Sequence, residues 1–152
     1  MTDQLVPGQP TPGSPKPATR SVVIEREFPY PPEKIWRALT EGALIKEWLM
    51  DNDFQPVVSH RFNFRVTPVP GWNGLIDSEV LVIEPHKKLS YSWNTLGLDS
   101  VVVWTLIATR GGTLLRMEHS GFGPDQDAAY KGANYGWQKF IGKLERVIAG
   151  LQ

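Results

Sequence analysis

The side chains able to do chemistry are few in this 152-residue chain, and they are scattered. Its three histidines, His60, His86 and His119, stand singly, without the HExxH or HxxxH spacing that would bring two ring nitrogens to one metal ion. Cysteine is absent, which removes thiol nucleophiles, thiolate metal sites and disulfides together. No GxSxG nucleophile elbow occurs, and Gly121, Phe122 and Gly123 do not complete a GxGxxG phosphate loop. The residues therefore point to no catalytic set, no metal and no cofactor.

Two polar residues fall on faces expected to point inward. Strand parity groups Arg26 with Ile24 and Phe28, and His119 with Leu115 and Met117. A buried arginine must be paired, and either Glu79 in a structural ion pair or the carboxylate of a ligand would serve. His119 reads as a hydrogen-bonded core histidine or, because imidazole titrates near neutral pH, as an acid or base.

Large flat side chains populate the same interior. Trp48, Phe62, Phe64, Tyr91, Trp93, Trp104 and Trp137 suit an ordinary core, and equally a pocket for an apolar small molecule. Glycine turns the reading toward a pocket. From Gln126 to Leu151, Tyr130, Ala133, Trp137, Ile141, Leu144, Ile148 and Leu151 recur at steps of three and four, marking one face of an amphipathic helix. Gly132, Gly136 and Gly142 interrupt it, and an interior glycine costs a helix about 1 kcal/mol relative to alanine. With Ala133, the first two give the N-terminal half a small-residue flank, which either lets the backbone pack close on a sheet or faces a space left open. Met117 is expected to look into that space, so that Met117→Trp would fill it without loss of stability.

The elements that position these residues follow from periodicity and punctuation. Residues 1–20, with Pro7, Pro10, Pro12, Pro15 and Pro17, hold too little apolar surface to offset the entropy of ordering and read as a disordered tail; residues 21–152 read as one domain. A strand over Ser21–Phe28 precedes a short helix opened by Pro31 and Pro32, and Thr40 is expected to cap a second helix over 41–49. Period-two patterns then predict strands around Phe62–Val66, Ile76–Glu84, Leu89–Asn94, Ser100–Thr109 and Thr113–His119. Trp72 falls in a proline-bounded loop, exposed or acting as a lid, and Asp125 or Asp127 is expected to cap the long helix. One strand, two short helices, about six strands and one long helix make an α+β fold, a curved antiparallel sheet wrapped around one amphipathic helix.

Sixteen basic residues balance sixteen acidic ones, so charge gives no reason to expect nucleic acid or an anionic membrane as partner. No apolar run is long enough to span a bilayer, no signal-peptide pattern opens the chain, and together with the missing cysteines this leads us to expect a cytoplasmic protein. Monomer and dimer stay equally open.

In order along the chain stand Arg26 with Phe28; Pro31, Glu33, Ile35 and Trp36; Thr40, Leu44 and Trp48; Glu79, Leu81, Ile83, Glu84 and Pro85; Leu89, Tyr91 and Trp93; Trp104 and Leu106; Gly111 to Thr113, running on to His119, Ser120, Gly121 and Phe122; and Gly136 with Trp137. This series resembles the SRPBCC superfamily, and within it the group similar to the C-terminal domain of the activator of Hsp90 ATPase. The resemblance covers residues 21–150 and implies the helix-grip fold, with a hydrophobic cavity between sheet and C-terminal helix. It also implies two kinds of partner: an apolar small molecule, as in lipid- and sterol-binding relatives, or an Hsp90-type chaperone. Family patterns are broken at Ser59 and His60, where a glycine pair is frequent, and at Ser78 and Val82.

The sequence thus predicts a non-catalytic binder of a hydrophobic small molecule or lipid, contacted by Arg26, Trp48, Phe62, Phe64, Tyr91, Trp93, Trp104, Met117, His119, Ala133 and Trp137. The rival readings are a co-chaperone and, with Arg26 or His119 as acid or base, a cyclase or hydrolase on an apolar substrate.

Overall fold

Alternating apolar and polar residues turn the middle of the chain into an antiparallel meander. The computed structural model describes residues 19–152. In chain order these form β1 (Arg20–Phe28), α1 (Pro32–Thr40), α2 (Gly42–Trp48), β2 (Asp51–Asn52), β3 (Arg61–Arg65), β4 (Leu75–Glu84), β5 (Lys88–Thr95), β6 (Leu98–Thr109), β7 (Gly112–Phe122) and α3 (Asp127–Ala149). The strands join in one curved seven-stranded antiparallel sheet of order β1-β7-β6-β5-β4-β3-β2. Strands β2 to β7 follow one another, and β1 closes the far edge beside β7. The expected disordered tail lies outside the described residues apart from Thr19 and Arg20, and Arg20 already belongs to β1.

Inward side chains from β1 and from β3 to β7 meet α3 across one core. Helix α3 packs on β1 and β7 and against α1 and α2. Its grip is uneven. Trp137, Ile141, Leu144 and Ile148 are buried, each contributing about 1.5–3 kcal/mol of apolar transfer, whereas no residue of α3 before Trp137 is buried. The helix is held by its C-terminal half and stands off the sheet at its start.

Two capping expectations are corrected. Thr40 does not open α2, whose N-cap position is Glu41; it ends α1, buried, with its hydroxyl turned back to donate to the Trp36 carbonyl at 2.7 Å. Neither Asp125 nor Asp127 caps α3: Gln126 holds the N-cap position, and Asp127 lies in the first turn, paired with Arg20 at 3.0 Å and Lys131 at 3.1 Å. These two cations hold its carboxyl below the usual carboxylate range.

One irregularity shapes the interior. The β1–β7 register shifts between Arg20 and Ser21, so that Ser21 faces Ser120 while Arg20 faces Phe122, leaving Gly121 as the extra residue of a bulge. Gly121 has φ +114°, and a Cβ there would lie 2.8 Å from the Asp99 carbonyl oxygen, so only glycine fits. The bulge breaks parity after His119 and turns Phe122 inward beside it, ring centroids 4.7 Å apart.

Candidate functional site

Where α3 stands off the sheet, a cavity of about 410 Å³ opens, within the range of small-molecule sites. The sheet side is built by Ile76, Trp93, Leu98, His119 and Phe122, and the helix side by Ala129, Gly132, Ala133, Gly136, Trp137 and Phe140. At the lip sit Trp72, Thr95 and Leu96. Leu96 is 70% exposed and, with Gly97, forms the left-handed two-residue turn between β5 and β6, with φ values of +50° and +79°.

Helix glycines keep this space open. A Cβ added at Gly132 would meet nothing within 4 Å, and one at Gly136 would meet only Phe140 Cε2 at 3.7 Å. Neither glycine permits a close backbone approach; Gly132 is exposed at the cavity's edge and Gly136 is half-buried in its wall.

The polar groups at the wall are tied to one another. Trp137 Nε1 donates to His119 Nδ1 at 2.9 Å, and an indole nitrogen is only a donor, so Nδ1 is unprotonated. The neutral ring then carries its proton on Nε2 and donates to Ser100 Oγ at 2.8 Å, while the Ser100 hydroxyl donates to the Trp93 carbonyl. The chain indole to imidazole to hydroxyl to carbonyl is complete in one direction only. Burial pushes the His119 pKa down to about 4 and keeps the ring neutral at physiological pH. With both nitrogens engaged, His119 has no free lone pair to aim into the cavity. At the lip, Trp72 Nε1 donates to Thr95 Oγ1 at 2.9 Å, and that hydroxyl donates to the Leu75 carbonyl at 3.0 Å.

Of the residues singled out from the sequence, Trp93, His119, Ala133 and Trp137 line the cavity, and the others lie elsewhere. Trp48, Phe62, Phe64, Tyr91 and Trp104 form the aromatic core behind it, with Trp48 edge-on to Trp104 at 5.7 Å and Phe64 against Trp93 at 5.2 Å. Their polar tips are satisfied within the core: Trp48 Nε1 donates to the Ala38 carbonyl at 2.9 Å and Trp104 Nε1 to the Tyr91 hydroxyl at 3.0 Å. Burial holds the Tyr91 phenol neutral by pushing its pKa up. Met117 is fully buried and not part of the cavity wall; it pairs across the sheet with Ile24 and Trp104, two residues short of His119. Arg26 is half-exposed at the other end of α3, 3.8 Å from Glu145, while Glu79 faces Arg61 at 3.6 Å. Its side chain is long enough to leave the inward face and reach solvent.

Sequence reasoning missed Ile76, Thr95, Leu96, Leu98, Phe122, Ala129 and Phe140 and left Trp72 between exposure and lid. Phe122 was hidden by the bulge, and Trp72 by a loop with no period. Phe140, three residues beyond Trp137, and Ala129, four before Ala133, were accessible from helical spacing alone.

A curved antiparallel sheet closed by one long helix, with an apolar cavity between them, defines a helix-grip protein of the SRPBCC class. Within that class, the chain belongs to the family of activator of Hsp90 ATPase homolog 1-like proteins, whose model matches residues 29–149. Among solved structures it is similar to protein MLL2253 from Mesorhizobium loti, with 52% identity, coverage of 88% of this chain and 99% of that one, and a TM-score of 0.82. It is also similar to CalU16 from Micromonospora echinospora, with 25% identity, coverage of 87% and 78%, and a TM-score of 0.69. It shares its fold with DynU16, a putative protein in the dynemicin biosynthetic locus, at 23% identity, coverage of 86% and 47%, and a TM-score of 0.73. No curated protein matches the sequence.

Proposed function

We propose that this protein binds a hydrophobic small molecule in the cavity beneath the N-terminal half of α3 and holds it without chemical change. The observation that carries the reading is the apolar cavity of about 410 Å³ itself, whose helix side is kept small by Ala129, Gly132, Ala133 and Gly136. Binding rather than turnover is supported by His119, whose two nitrogens are committed to Trp137 and Ser100.

The test is titration with Nile red, an uncharged apolar dye, read by dye emission and by quenching of tryptophan, since Trp93 and Trp137 form the wall. Gly132→Leu adds a large side chain at the helix edge of the cavity and should weaken binding at least tenfold while the protein stays folded. Equal affinity of wild type and Gly132→Leu would place the dye elsewhere and sink the reading.

The family match supports a second reading, a co-chaperone-like regulator of an Hsp90-type chaperone. Stimulation of such a chaperone's ATPase, undiminished in Gly132→Leu, would favour it over the binder.

A further inference from the structure

We propose, resting on the reading of the cavity as a binding site, that its ligand is uncharged, and that the site rejects the ionised carboxylate of a fatty or aromatic acid. No Asp, Glu, Lys or Arg is among the lining residues. An ion transferred there would lose its hydration without gaining a counter-ion.

The neutral polar groups do not make up the difference. Thr95 Oγ1 accepts from Trp72 and donates to Leu75. The Trp72 and Trp137 indoles and both His119 nitrogens are likewise engaged. Among the described residues, the lining indole with no acceptor is that of Trp93, and a single neutral donor suits a ketone or ether oxygen better than an anion, which needs several.

The cations near α3 are spent or turned away. Arg20 lies 4.1 Å over the Tyr130 ring and pairs with Asp127, which also takes Lys131. Asp127 in the first turn already sets a carboxylate at the positive end of the helix. Lys139 lines a separate hollow on the exposed helix face with Tyr135 and Gln138.

The experiment compares 9-anthracenemethanol with 9-anthracenecarboxylate, which share a ring system and differ in charge, by fluorescence anisotropy from pH 6 to pH 8. His119 stays neutral across that window, its pKa being about 4. The alcohol should bind with a pH-independent affinity that Gly132→Leu weakens at least tenfold. If only the protonated acid enters, its carboxyl pKa of about 4 makes the acid about 1000-fold weaker than the alcohol at pH 7, losing a further tenfold per pH unit. An acid that binds within tenfold of the alcohol at pH 7, without that slope, overturns the exclusion of charge and leaves the cavity reading standing. Binding of neither compound overturns both.

Discussion

Replacing Gly132 with alanine should make this protein more stable and a poorer binder at the same time. Alanine is preferred to glycine inside a helix by about 1 kcal/mol, chiefly because glycine has more backbone freedom to lose. That gain is realised only where the new methyl has room, and the Cβ at Gly132 would meet nothing within 4 Å. For a domain of about 150 residues, 1 kcal/mol corresponds to roughly 2–4 °C in Tm. Gly136→Ala should gain nearly as much, since its Cβ would make ordinary contact with Phe140 Cε2 at 3.7 Å. Gly142→Ala is the control: it too meets open space but lies outside the cavity wall, so Tm should rise with Nile red affinity unchanged. Thermal melts and dye titrations of the three variants form the assay. A lower Tm for Gly132→Ala would mean that the helix backbone is pressed against a neighbour there, and the argument for a space kept open would fail. Higher Tm with undiminished binding in both cavity variants would leave the stability argument intact and remove its link to function.

Met117→Trp should destabilise by about 1–3 kcal/mol or more, because Met117 is fully buried away from the cavity and the added volume forces strained rotamers; a variant as stable as wild type in urea melts would contradict this and restore the cavity-filling expectation drawn from parity. His119 should make the fold acid-sensitive in a defined window. Its folded pKa of about 4 lies below the ordinary 6.5, so the unfolded chain binds more protons between these values and stability falls as pH drops from 6.5 to 4, by about 3 kcal/mol at most. Urea melts should show that component lost in His119→Phe, and an unchanged pH slope in the variant would argue that other groups set it. Arg26→Ala should shift stability by less than about 1 kcal/mol and leave Nile red affinity unchanged, since its partner Glu145 is a half-exposed surface carboxylate at 3.8 Å. Loss of dye binding in Arg26→Ala would return this residue to the site.

By itself the sequence determined the fold class, the order of elements and the helix that closes the sheet, because apolar periodicity and proline and glycine punctuation are local signals that leave a protein of this size few ways to bury its faces. It also marked Gly132, Ala133 and Gly136 as a flank, since a helix that tolerates glycine at two positions one turn apart advertises a reason outside the helix. Which reason that was, close packing or open space, was decided only by the packing of α3, buried at Trp137, Ile141, Leu144 and Ile148 and at no residue before them. Parity placed His119 and Met117 on the same inward face, yet only their distances along β7 from that unburied end put one in the cavity wall and the other in the core. Phe122 and Trp72 entered the site through a bulge and a loop, where period carries no information about direction. Arg26 obeyed parity at its Cα and escaped it at its guanidinium, because a long side chain near a sheet edge can trade burial for a carboxylate in water. The partners of His119 lie 18 and 19 residues away along the chain, and no local rule brings Trp137, His119 and Ser100 to one line. That line needs a helix, a strand and its neighbour held at their final spacing, which is why the neutral, fully engaged state of the histidine belongs to the tertiary structure alone.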